Sequence, residues 1–283
     1  MTAAEYRQFD ATGLAQLVKN KSVHPSELVE LAIEQASIHN PKLNAIVFPL
    51  YELAKEMAQQ VDLDSPFAGV PILLKDLGVH LKGYPMSNGS RGWDKNIPDQ
   101  DDYFVQQMRR AGFLFLGKTN TPELGLAPYT EPELFGPTRN PLDTTRTAGG
   151  SSGGSGAAVA AGIVPIATAS DGGGSIRIPA SCNGLFGLKP SRGRISLGPQ
   201  IGQSWSGAVV QGCVSRSVRD TAAFLDATAG FFPGDPYALP TPPKSFTKAI
   251  EEAPTTYRIG FSTQHTLGHQ LAPSCIQAVE QVA

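Results

Sequence analysis

Gly149-Gly150-Ser151-Ser152-Gly153-Gly154-Ser155-Gly156 runs straight into Ala157-Ala158-Val159-Ala160-Ala161, and shortly afterwards stands Asp171-Gly172-Gly173-Gly174-Ser175-Ile176-Arg177. The first stretch sets hydroxyls in a glycine-rich turn that opens a helix of small residues. A flexible Gly/Ser linker would stay polar, whereas this segment turns apolar at once and reads as a built turn. The second stretch puts Ser175 behind three glycines. Gly172, Gly173 and Gly174 lack a Cβ, so the chain can turn sharply there and approach a carbonyl closely. Consecutive N–H groups in such a turn form an anion-binding nest. Upstream, Gly69-Val70-Pro71-Ile72-Leu73-Leu74-Lys75-Asp76 reads as a short buried strand with Lys75 at its carboxyl end.

The chemistry of the three parts is complementary. A serine hydroxyl is a weak nucleophile unless a neighbour takes its proton. A lysine at the end of a buried strand is partly desolvated, which drives its pKa from about 10.4 toward neutrality. In the neutral form it serves as a general base. A base at Lys75, hydroxyls at Ser151 and Ser152, and a nucleophile at Ser175 beside an oxyanion nest are equipment for acyl transfer. Alone, each part also fits a plainer role: Ser175 as a serine at a helix start, Lys75 as the ion partner of Asp76. The combination in this order carries the reading. There is no G-x-x-x-x-G-K-[ST], and no G-x-G-x-x-G between a strand and a helix, so the glycines are not a nucleotide loop.

Outward from these motifs, strands and helices alternate. Asp10 to Lys19 predicts a short amphipathic helix. A second starts near Pro25, buries Leu28, Leu31, Ala32 and Gln35 or Ala36, and is expected to end at Asn40-Pro41. Asn44 to Phe48 reads as a strand and Tyr51 to Val61 as a helix. After the strand ending at Lys75, a further strand is expected across Gly78 to Lys82. Asp101 to Ala111 is predicted helical with Phe104, Val105 and Met108 as its apolar face, Gly112 as its cap and Phe113 to Leu116 as the next strand. Val164 to Ala169 reads as the strand entering the Ser175 turn. Phe232 to Pro243 is a proline-rich surface loop, Tyr257 to Ser262 is expected to be a strand, and Pro273 to Ala283 a helix. The alternation predicts an α/β fold, a central sheet covered by helices on both faces, organised as a single domain over residues 1–283.

Composition narrows the function classes. The chain has 283 residues, 41% hydrophobic and 17% charged, which suits a globular core and excludes disorder. A net charge of −2 and the lack of a basic stripe point to no nucleic-acid partner. No apolar run is long enough to span a bilayer, and Met1 to Phe9 lacks the apolar core of a signal peptide. Cys182, Cys213 and Cys275 are widely spaced and read as reduced thiols of a cytoplasmic protein. His265 and His269 lie four apart across a loop-like Thr266-Leu267-Gly268 and read as surface residues. No metal or cofactor is expected.

In these motifs the chain resembles the amidase signature family. Gly149 to Ser152 with Gly153-Gly154, then Asp171-x-Gly173-Gly174-Ser175-Ile176-Arg177-x-Pro179, then Gly187-Leu188-Lys189-Pro190, match its defining segment. Gly69-Val70-Pro71 before Lys75-Asp76 matches its lysine motif, and Gly117 to Glu123 a further segment. The resemblance implies a mixed twisted sheet and an amide substrate. It implies that Ser175 attacks the carbonyl while Ser151, on a cis peptide bond, passes the proton to neutral Lys75 and later to the leaving amine. The N–H groups of Gly172, Gly173, Gly174 and Ser175 would form the oxyanion hole. Ser152 would be an orienting hydroxyl, with Asp171 and Arg177 tying the turn. Thr130-Glu131-Pro132-Glu133, Thr138-Arg139-Asn140-Pro141 and Arg192-Gly193-Arg194-Ile195-Ser196 are most similar to the branch that hydrolyses 6-aminohexanoate cyclic dimer.

Departures from the family carry their own expectations. Gly172 replaces a residue usually bearing a side chain, which should loosen the turn and widen the hole. Asn183 replaces a common Cys, which should change packing more than chemistry. Family members run on well past Ala283, which implies a missing C-terminal part that supplies strands and much of the acyl pocket. Two other readings stay open at this point. One is the glutaminase subunit of a tRNA-dependent amidotransferase, active only with its partner. The other is a truncated, catalytically silent domain that associates, for instance as a homodimer, through the sheet edge or apolar surface left by the missing C-terminal half.

Overall fold

In the computed structural model, residues 1–252, 254 and 256–283 are described. The helices are α1 (Ala3–Gln8), α2 (Ala11–Lys19), α3 (Pro25–Leu43), α4 (Tyr51–Gln60), α5 (Tyr103–Arg110), α6 (Gly153–Ala160), α7 (Arg177–Asn183), α8 (Val218–Thr228), α9 (Phe246–Glu251) and α10 (Pro273–Val282). The strands are β1 (Ile46–Pro49), β2 (Pro71–Lys75), β3 (Leu114–Thr119), β4 (Arg139–Asn140), β5 (Asp143–Thr147), β6 (Ile166–Asp171), β7 (Phe186–Gly187) and β8 (Val210–Ser215).

Six strands form one sheet in the order β1-β3-β2-β6-β8-β7, and β4 pairs with β5 separately. Parallel pairing joins β3, β2 and β6; β1, β8 and β7 join antiparallel, so the sheet is mixed. Every residue of β2, β3, β6 and β8 is buried. Burial of both odd and even positions means that helices cover both faces. Those helices pack in two groups: α3 against α4 and α6, and α8 against α2 and α5. Between elements the core is aromatic, with Phe67 stacked on Phe113 at 4.3 Å and Phe104 edge-on to Phe224 at 5.8 Å.

Most predicted elements form, and three expectations are corrected. Helix α3 passes Pro41 and ends at Leu43. Proline there falls in the last turn, and Asn40 takes over the chain beyond it: its Oδ1 accepts the N–H groups of Ala45 and Ile46 at 2.8 and 2.7 Å. Gly78 to Lys82 is a loop, because its backbone is satisfied by side chains instead of a neighbouring strand. His80 N–H donates to Asp102, Lys82 N–H to Asp101, and Val79 O accepts from Lys118. Tyr257 to Ser262 has no strand pairing, and Tyr257, Ile259 and Phe261 are exposed. Among the described residues no helix is long and apolar enough to cross a membrane.

The described chain divides into two compact units, Met1–Ile250 and Glu251–Ala283. The first holds the whole six-stranded sheet and the glycine-rich motifs. The second carries α10 and has no buried residue among those described.

Distant ends of the first unit are joined by one buried carboxylate. Asp220, near the start of α8, accepts the Ala11 N–H and the Thr12 N–H, each at 2.8 Å, and so caps α2 from outside. Asp220→Ala leaves those donors unpaired, and the urea midpoint should drop by an equivalent of about 2–3 kcal/mol; an unchanged midpoint would show that the cap carries no stability.

Candidate active site

Lys75 closes β2, and Ser170 with Asp171 closes its parallel neighbour β6, so both strands release the chain at the same edge of the sheet. That edge is where open α/β sheets form their binding crevices. Lys75 is wholly buried. Its backbone N–H donates to Thr168 Oγ1 at 2.7 Å, which fixes the strand end. Its Nζ lies 2.7 Å from Ser151 Oγ and 3.0 Å from Ser170 Oγ. Burial, opposed in part by the charge of Asp171, lowers the amine from its ordinary 10.5 to about 7. A large share of the amine is then uncharged at neutral pH, and its lone pair can accept the Ser151 proton across the 2.7 Å contact. Asp76 is not its ion partner: the Asp76 carboxylate faces Lys118 Nζ at 3.5 Å and accepts from Ser87.

The Gly150–Ser151 peptide is cis. A Cβ on Gly150 would fall 2.6 Å from Tyr129 N and 2.7 Å from Ala127 O, so only glycine fits against that strand of chain. Thr130 clamps the turn at two points: its Oγ1 donates to Gly149 O at 2.9 Å and accepts from the Gly153 N–H at 3.2 Å. Asn183 Nδ2 donates to Ala148 O and Pro179 O, both at 2.8 Å, which ties α7 to the entry of the turn. Ser152 is fully buried, with Oγ 3.4 Å from Ser170 N and 3.5 Å from Ser170 O. It braces the residue beside Lys75 and makes no bond to the Ser151 hydroxyl.

Ser175 is half-buried on the wall of a cavity of about 260 Å³ that Ser151, Ser170 and Gly172 also line. The structure therefore brings Lys75 and Ser151 into direct contact and places Ser175 in the cavity into which Ser151 opens. Asp171 shapes the intervening turn. Its carboxylate accepts the Gly174 N–H at 2.7 Å, the Ile176 N–H at 3.2 Å, and both guanidinium arms of Arg177 at 2.9 and 3.0 Å. Burial alone would push the carboxyl up, but these donors outweigh it and hold the group below the usual carboxylate range.

Two expectations about the turn are corrected. The Gly174 N–H is committed to Asp171 and so is not free to serve as one of the four predicted oxyanion donors. Gly172 does not widen the site. A Cβ there would lie 2.9 Å from the Trp205 ring and 3.0 Å from Val209 Cγ2, so the glycine lets the indole press onto the turn.

A family model described as Amidase matches residues 27–283. The chain belongs to the amidase signature family. It is 46% identical over 279 residues to the 6-aminohexanoate-cyclic-dimer hydrolase of Paenarthrobacter ureafaciens, a match covering 97% of this chain and 56% of that protein. To the lipoamidase of Enterococcus faecalis it is 45% identical over 226 residues, 79% of this chain and 30% of that one. A solved 6-aminohexanoate cyclic dimer hydrolase complexed with substrate superposes with a TM-score of 0.93 at 44% identity, over 97% of this chain and 58% of that one. A bacterial aryl acylamidase of the same family gives 0.79 at 36% identity, over 86% and 51%. The chain spans about half the length of the curated relatives it matches.

Sequence reading of this amidase-family chain missed Ser170, the second hydroxyl on Lys75, and the two-sided clamp of Thr130. Ser170 had a usable signal: it lies near the end of a strand next to the glycine-rich turn, as Lys75 ends its own strand. Trp205 had none, because the loop that carries it is irregular.

Burial of a depressed lysine has a thermodynamic signature. The folded amine binds its proton more weakly than the unfolded one, so between about pH 7 and 10.5 the unfolded state holds the extra proton and stability rises with pH. At pH 7 the penalty is on the order of 4 kcal/mol. Lys75→Met should be more stable than the parent at pH 7 and should lose that rise in urea titrations from pH 7 to 10. A parent and variant with parallel pH profiles would contradict the buried neutral amine.

Proposed function

We propose that this chain carries the acyl-transfer machinery of a serine amidohydrolase that cleaves a carboxamide or a small linear or cyclic amide. The observation that carries the reading is the 2.7 Å contact between a buried, pKa-depressed Lys75 and Ser151, in the floor of the cavity that Ser175 lines. Neutral Lys75 takes the Ser151 proton as Ser151 takes that of Ser175, and Ser175 Oγ adds to the amide carbonyl carbon. The new oxyanion is received by the N–H groups of Gly172, Gly173 and Ser175. Ser151 hands a proton to the leaving nitrogen, the C–N bond breaks, and water then cleaves the ester on Ser175 by the reverse relay. No group in the sequence requires a metal or cofactor for these steps.

The cavity walls support an amide with a sizeable apolar part. Trp93, Leu124, Ile201 and Trp205 line it and are each roughly half exposed. Similarity to the cyclic-dimer hydrolases favours aliphatic amides among the candidates. Nothing observed favours the amidotransferase or the silent-domain reading over this one.

A fluorophosphonate probe should label the chain at Ser175, and Ser175→Ala should abolish labelling. Equal labelling of parent and variant would refute the nucleophile. In amide hydrolysis assays, Lys75→Ala and Ser175→Ala should lose at least about a thousandfold in kcat/KM, and Ser151→Ala at least about a hundredfold. Near-normal turnover in the lysine variant would remove the base. Activity should fall below about pH 7 as Lys75 takes up its proton. A rate that stays level from mildly acid to alkaline pH would rule out that protonation as the control.

A further inference from the structure

Asn88 stands on the cavity wall in an arrangement that the reaction cycle does not use. It is 8% exposed and sits at φ +53°, a left-handed conformation that Asn tolerates better than most residues. Its Oδ1 accepts the Gly78 N–H at 3.3 Å, which settles the orientation of the carboxamide: the amide end, Nδ2, is the outward one. Gly78 is itself pinned from the other side, where its carbonyl accepts from Gln211 Nε2 at 2.9 Å. Asn88 Nδ2 has no hydrogen-bond partner among the described residues and is not sealed from the cavity. A neutral carboxamide nitrogen can only donate. The wall therefore presents an oriented donor, held on a rigid support, with no acceptor for it among the described residues.

The position of this donor tells which half of a substrate it meets. Asn88 O accepts the Leu124 N–H at 2.8 Å, and the adjoining Gly125 abuts the relay serine: a Cβ on Gly125 would lie 3.3 Å from Ser151 Oγ. Asn88 is thus on the Ser151 side of the cavity. In the acyl-transfer reading, on which this inference rests, Ser151 returns its proton to the leaving nitrogen, so that side holds the amine half of the substrate.

We propose that Asn88 is a specificity-determining residue whose Nδ2–H donates to a carbonyl-type oxygen on the amine half of the substrate, distinct from the scissile carbonyl. The preferred substrates are then amides whose leaving amine carries a second amide or an equivalent acceptor, in place of simple alkylamides. Asn88 moves no proton in the reaction; it chooses and registers the leaving group.

Binding measured without turnover tests this. Calorimetry on the full chain carrying Ser175→Ala compares N-acetyl-ω-aminoalkanamides of graded length with N-acetylalkylamines of the same lengths. Asn88→Asp keeps the shape, the Oδ1 acceptor for Gly78 and the tolerance of positive φ, and replaces the donor with a second, negatively charged acceptor. It should weaken the best alkanamide about tenfold and the matching alkylamine less than twofold. Asn88→Gly, which also accepts the backbone angle, should give the same selective loss. Equal effects on the two series, no effect on either, or failure of both series to bind overturns the proposal. Fluorophosphonate labelling of Ser175 in the parent separates that failure from a failure of the acyl-transfer reading.

Discussion

A wholly buried amine held against a hydroxyl is the constraint on which the site depends. Burial removes the water that would stabilise a charge on Lys75, which is what lets the amine give up its proton near neutral pH. The same burial would be useless if a bare carboxylate stood beside it. Asp171 is that potential spoiler, and its presence does raise the amine's proton affinity. Its own charge, though, is shared among Arg177 and the N–H groups of Gly174 and Ile176. The ion pair that shapes the Ser175 turn thus also limits how strongly Lys75 is recharged.

The rest of the fold places hydroxyls around that amine with little slack. Ser151 arrives on a cis peptide that Thr130 grips from two sides. Ser170 arrives on β6, braced by Ser152. Neither can be moved independently, because the turn, the strand and α7 are laced together through Asn183 and Asp171. These contacts link residues far apart in sequence, so the site is a product of the whole sheet and not of any one motif. Trp205 then presses on the glycine turn from the loop side, and its indole with Trp93 gives the cavity an apolar mouth around a polar floor.

What sequence could reveal followed from how local each feature is. The burial of β2 and the placement of Lys75 were legible in an unbroken apolar run, and the apolar face of α5 in its spacing. The turn glycines announced a close approach of backbones. Pro41 misled because a proline in a last turn removes little when Asn40 accepts the next two N–H groups. Gly78 to Lys82 misled because an apolar alternation predicts a strand only if a neighbouring strand exists, and here Asp101, Asp102 and Lys118 supplied the partners instead. Ser170, Trp205 and the open amide of Asn88 were invisible for a related reason: their meaning lies in what stands opposite them across the cavity. The family resemblance added the expected roles of Ser151 and Ser175, which residue types alone left open to plainer readings.

The central claim concerns the protonation state of one side chain, and that state can be observed directly. In protein carrying isotope-labelled lysine, the Lys75 side-chain resonances, assigned by their absence in Lys75→Met, are followed by NMR from pH 5 to pH 11. The account predicts a single titration centred near pH 7, well apart from the surface lysines. A Lys75 amine that stays charged until about pH 10 with the fold intact would contradict it.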